Sequence, residues 1–138
     1  MAVEAAKAFQ ALMESRDFNL QFLDEDESVI RLGFNLDNTR TDVFVFFDED
    51  NKSVHFEGRD FVKIPADKTD LIYKLCNDCN NTFRWIKFTW DEEDGYVAAK
   101  ADAVIDLESC AEECYEIVVR MCGIIDEAYP MFMKALWA

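Results

Sequence analysis

The sequence predicts an α+β protein: an antiparallel sheet of about five strands with helices on one face, in the order α-β-β-β-α-β-β-α. Three observations carry this. Ile30, Leu32, Phe34 and Leu36 alternate with Arg31, Gly33 and Asn35, a period of two that marks a half-buried strand. Apolar residues recur at helical spacing at the start, middle and end of the chain. Every connection between predicted strands is short, which antiparallel pairing allows and parallel pairing does not. An antiparallel sheet then buries one face against its helices.

The elements follow in order. Val3, Ala6, Phe9, Leu12 and Met13 line one side of a helix ending near Met13. A short apolar piece, Leu20, Phe22 and Leu23, precedes the acidic run from Asp24 to Glu27 and the first clear strand. Asp37-Asn38-Thr39 is turn chemistry. Val43 to Phe47 is the next strand, and Asp48 to Lys52 turns the chain. Val54 to Ile64 continues extended, with a bend expected at Gly58 and a stop at Pro65.

Asp67 suits the N-cap of a second helix with Leu71, Ile72, Leu75 and Cys79 on its apolar face. Asn80-Asn81 suits its exit. Phe83 to Trp90 reads as a strand, Asp91 to Gly95 as a turn, and Tyr96 to Ile105 as the returning strand. Asp106 caps a last helix striped by Leu107, Cys110, Cys114, Val118, Met121, Ile125, Tyr129, Phe132, Met133 and Leu136. Pro130 predicts a kink near Asp126.

Composition bounds the function. The 138 residues fit one domain, residues 1–138, large enough to stand without a metal or disulfide. At 51% hydrophobic with 12 phenylalanines, the chain is too apolar for a disordered tail. Fourteen basic against 29 acidic residues leave a formal charge of −15. That charge disfavours nucleic acid and anionic membranes as partners and favours a basic protein or peptide. The N-terminus shows no basic, apolar leader, and no window approaches an uncharged membrane span. Five cysteines, several at helix-core spacing, suit a reducing cytoplasm better than a disulfide framework.

Around the second helix and the hairpin after it, several motifs fall in order. Asn77-Asp78-Cys79-Asn80 ends the helix, Trp85-Ile86-Lys87-Phe88 forms an aromatic–Lys–Phe strand, and Asp91-Glu92-Glu93-Asp94-Gly95 makes an acidic turn before Ala101-Asp102. The chain resembles the YbjN family of bacterial sensory transduction regulators, in these motifs and again at Ile125 to Pro130. The resemblance implies a fold like that of type III secretion chaperones, a bacterial cytoplasmic setting and a homodimer. Within the motif Asn77, Asn80, Lys87, Phe88 and Gly95 read as structural. The family usually has Leu where this chain has Cys79, which favours an apolar role for that thiol.

Each chemical constellation has a plainer counterpart. Cys76 and Cys79 form a CxxC, and Cys110 and Cys114 lie four apart, so four thiolates could hold zinc. Yet the CxxC lies toward a helix C-terminus, the wrong end for a redox thiolate, and three of the four fit apolar stripes. Neither a metal nor a cofactor is expected. A calcium loop needs Gly at its sixth position and Glu at its twelfth. Counting from Asp24, Asp48 and Asp91 gives Val29 and Asn35, Ser53 and Arg59, and Tyr96 and Asp102, so the acidic clusters read as solvated turns. His55, the only histidine, has no nucleophile motif around it.

The strand faces are more informative. Val43, Val45 and Phe47 point to the core, so Phe44 and Phe46 point away. In the hairpin Ile86, Phe88 and Trp90 share one face and Phe83 and Trp85 the other. A one-sided sheet should be polar on its outer face. Aromatics there mean either a covering element or a surface for a partner. Phe44, Phe46, Phe83 and Trp85 are therefore the candidate partner-binding residues, in a non-catalytic, chaperone- or adaptor-like protein. The alternatives are an enzyme using pocket carboxylates and a structural subunit of a larger complex.

Overall fold

The computed structural model describes residues 3–24 and 28–137. Most of the acidic run at 25–27 therefore lies outside the described residues. The elements are α1 (Glu4–Ser15), β1 (Gln21–Phe22), β2 (Val29–Asn35), β3 (Arg40–Phe47), β4 (Ser53–Lys63), a 3-10 turn (Ala66–Leu71), α2 (Ile72–Thr82), β5 (Lys87–Trp90), β6 (Tyr96–Val104) and α3 (Cys110–Leu136). Among the described residues the sheet has six strands, one more than the five expected, in the order β1-β2-β3-β4-β6-β5, all antiparallel. The additional strand is the two-residue β1, made from the apolar piece before the acidic run.

Register explains the core. Ile30 pairs with Val45, Val45 with Phe56, and Phe56 with Ala101, so one transverse row is entirely apolar. Leu32, Val43, Gly58, Ala99 and Phe88 form the next row. Both rows face the helices, whose buried residues include Phe9, Met13, Ile72, Cys79, Val118, Met121, Ile125 and Phe132. Each fully buried large side chain contributes about 1.5–3 kcal/mol by leaving water. Gly58 sits where α3 crosses the sheet: a Cβ there would lie 2.5 Å from Ile125 Cδ1. The bend expected at Gly58 takes the form of a register shift between Gly58 and Val62, with Asp60 at φ 64°.

Three expectations change. Phe83 to Ile86 is not strand; β5 begins at Lys87. Helix α2 runs on through Asn80 and Asn81 to Thr82, where the Thr82 hydroxyl donates to the Asp78 carbonyl. Arg84 C=O then accepts from Ile86 N–H with Trp85 at φ 75°, a γ-turn of the rarer hand that turns the chain before β5. Asp67 caps nothing, because the chain enters α2 through the 3-10 turn without a side-chain cap.

Pro130 lies inside α3, which is one continuous helix from Cys110 to Leu136. Proline leaves the carbonyl four residues back without a helical donor. That carbonyl, on Asp126, accepts instead from Asn38 Nδ2 at 3.1 Å, while Asn38 N–H donates to Asp126 Oδ1 at 2.7 Å. The β2–β3 turn thus supplies the bond that Pro130 removes.

Candidate functional site

The sheet face opposite the helices carries two mixed rows. Val29, Phe46, His55 and Asp102 form one; Arg31, Phe44, Glu57, Lys100 and Lys87 form the other. Phe44 and Phe46 therefore do share a face turned away from the core, and both are half-buried. Their cover is a layer of polar side chains. The Arg59 guanidinium lies 4.4 Å from the Phe44 ring centre and 5.7 Å from that of Phe46. The His55 ring packs 5.7 Å from Phe46.

This cover is tied together by hydrogen bonds. Arg59 Nε donates to Glu57 Oε1 at 3.0 Å, Glu57 Oε2 lies 2.9 Å from His55 Nε2, and His55 Nδ1 lies 2.6 Å from Asp102 Oδ1. Burial works to raise the Glu57 carboxyl, but its bonds to Arg59 and His55 outweigh burial and hold it below the ordinary range. A general acid needs the opposite shift. Both His55 nitrogens are engaged by carboxylates, so neither is free to activate a nucleophile. The arrangement offers fixed charges and a guanidinium–aromatic stack on which planar groups can pack.

The two hairpin aromatics lie elsewhere. Phe83 is half-buried on the core side, its ring 6.3 Å from that of Phe88. Trp85 is 65% exposed, flanked by the guanidinium groups of Arg84 at 5.1 Å and Arg120 at 5.8 Å. Because Phe83 to Ile86 is not strand, these two do not extend the surface of Phe44 and Phe46. Trp85 instead walls a groove of about 490 Å³ with Ala103 of β6 and Ile117 of α3. The sequence reading missed Ala103 and Ile117. No sequence signal could have found them, because β5 is shortened by the Trp85 turn, which the pattern of Phe83 to Trp90 does not reveal.

The motif residues acquire roles. Phe88 is a core hub, with Phe132 at 5.8 Å and Phe61 at 6.2 Å. Asn80 Oδ1 accepts from Phe88 N–H at 2.6 Å and its Nδ2 donates to Phe88 C=O at 3.2 Å, so the side chain occupies the outer edge of β5 as a strand would. Gly95 adopts φ 76° in the β5–β6 turn, the left-handed region that suits glycine. Lys87 and Asn77 are both exposed.

All five cysteines are free and buried. Burial pushes Cys79 up to about 11 and Cys76, Cys114 and Cys122 to about 12, and raises Cys110 as well. Such thiols are poor nucleophiles. Among the described residues no three His, Cys, Asp or Glu side chains converge as metal ligands. Asp48 to Asp50 and Asp91 to Asp94 lie in exposed turns. Among the described residues no helix is long and apolar enough to cross a membrane.

These features define an α+β protein with helices on one side of an antiparallel sheet, the layout of the type III secretion chaperone-like fold. The chain belongs to the YbjN family, described as "Putative bacterial sensory transduction regulator", whose model matches residues 6–132. Solved structures agree on the fold. That of YbjN, "a putative transcription regulator from E. coli", matches with a TM-score of 0.66 at 11% identity, covering 91% of each chain. The ExsC–ExsE complex matches with a TM-score of 0.56 at 17% identity, over 91% of this chain and 88% of that one. The HopA1–SchA chaperone–effector complex matches at 0.50 and 16% identity, over 88% and 93%. No curated protein sequence matches the chain.

Proposed function

We propose that this YbjN-family protein is a non-catalytic binder of other proteins, chaperone- or adaptor-like, working as a single-domain homodimer in the bacterial cytoplasm. The observation that carries this reading is the sheet face opposite the helices, where the Arg59 guanidinium packs on Phe44 and Phe46 and the His55 ring packs on Phe46. Side-chain cover of that kind can swing aside, whereas a packed helix cannot do so cheaply. The exposed aromatic–arginine layer then offers stacking area and fixed charge to a client. The chaperone–effector and ExsC–ExsE complexes, with which this chain shares its fold, support a protein client without specifying it. The charge of −15 favours a basic one.

The test is affinity purification from the source organism with mass spectrometry, comparing wild type with the double variant Phe44→Thr, Phe46→Thr. Threonine keeps strand propensity, so circular dichroism should be unchanged while the partner is lost. Light scattering should give twice the chain mass. A wild type that retains no specific partner and runs as a monomer would remove this reading.

A further inference from the structure

The geometry points to a peptide-docking site along the unpaired edge of β6: an extended partner segment, basic and apolar in alternation, adds there as a strand. It rests on the protein-binding reading and names where and how one client segment is held.

The edge follows from the register. Strand β5 pairs with β6 only from Val97 to Lys100. Phe88 N–H and C=O are taken by Asn80, so they face away from β6, and Phe88–Ala99 is a non-hydrogen-bonded pair. The even-numbered residues of β6 therefore turn their backbone groups toward β5. Ile105 N–H donating to Lys52 C=O, on the opposite side, agrees with this alternation. Beyond Lys100, Asp102 and Val104 continue the series, and among the described residues no strand lies beside them. Asn80 closes the edge of β5, but no such side chain closes this one among the described residues, and Val104 is 85% exposed.

The groove beside that edge decides what would dock. A segment pairing with Asp102 and Val104 places the residue opposite Ala103 on the helix side, into the 490 Å³ space walled by Trp85, Ala103 and Ile117. That residue should be apolar. Around the groove stand Asp102, Glu112, Glu113 and Glu116. Arg16 binds Glu112 at 2.6 Å, Arg120 lies 3.6 Å from Glu116 and Arg84 stands beside Trp85, so four carboxylates meet three guanidiniums and one negative charge remains in excess. Flanking lysine or arginine fits that excess. A second copy of this chain, itself at −15, fits it poorly.

Random twelve-residue peptides displayed against the wild-type protein, and synthetic copies of those selected, supply the probes. The selected peptides should alternate apolar and basic residues, shift Trp85 emission and weaken about tenfold or more between 50 and 500 mM salt. They should also slow exchange of the Asp102 and Val104 amides. Val104→Pro removes an outward-facing donor without touching the ladder to β4, and should weaken binding at least tenfold with the fold intact; Trp85→Ala should weaken it too. Selection of no peptide, or peptides that bind V104P as tightly as wild type, overturns the site. If V104P still retains the wild-type protein partner in affinity purification, the docking edge falls and the wider reading stands. If wild type retains no partner and runs as a monomer, the wider reading falls. A dimer that dissociates in V104P would make this edge a self-interface and overturn the proposal.

Discussion

Asn80 shows how one side chain can finish a sheet. Its carboxamide answers both the N–H and the C=O of Phe88, which an edge strand otherwise leaves to water or to another chain. Asn80→Ala should lower stability by about 1–2 kcal/mol, read by urea unfolding, and should increase aggregation through the bared edge. The cysteines make a second prediction. Their folded pKa values lie above the ordinary 9.0, with Cys114 at about 12, so the native state holds protons that the unfolded chain releases. Stability from these thiols is complete below pH 9 and is lost as pH rises above it, toward 12 for Cys114. For Cys114 the slope is about 1.4 kcal/mol per pH unit within that window. Cys114→Ala should flatten the alkaline limb by about one proton. Aromatic disulfide reagents should leave all five thiols unlabelled at pH 8 until the protein unfolds.

Elements are held by exchanges that span the fold. Pro130 takes one hydrogen bond out of α3, and Asn38 returns it from the turn between β2 and β3. A double-mutant cycle tests this directly. Asn38→Ala should cost about 1 kcal/mol in the wild type and less in Pro130→Ala, where the substituted residue regains a backbone N–H that can reach the Asp126 carbonyl. A coupling near zero would mean water serves that carbonyl equally well. The mismatch between β5 and β6 has the same origin in local conformation. Because Thr82 ends α2 shortly before Lys87 opens β5, and Trp85 turns at φ 75°, the segment Phe83 to Ile86 cannot pair. The aromatic-rich pattern of that segment reads as strand by composition. The positive φ of a tryptophan has no signature in sequence, since bulky residues rarely adopt it.

At the scale of the molecule, charge sets the response to solvent. Twenty-nine acidic side chains on 138 residues repel one another in the folded state. Raising sodium chloride from 10 to 500 mM should raise the thermal midpoint, measured by calorimetry, as screening shortens from about 30 Å to a few ångströms. The same salt should weaken a basic client, so stability and binding should move in opposite directions. Neutral osmolytes such as sucrose should not produce that divergence.

Periodicity and turn chemistry by themselves determined the α+β class, the order of the main elements, the inward faces of β2 to β4 and the outward direction of Phe44 and Phe46. These follow from local rules, because side chains alternate along a strand whatever lies beyond it. Only the tertiary structure decided that Arg59 and His55 cover those rings, that Phe83 belongs to the core rim and that Trp85 stands over a groove. Pairing across 47 residues, as between His55 and Asp102, depends on which strands become neighbours, and that is chosen by packing of the whole chain rather than by any window of it.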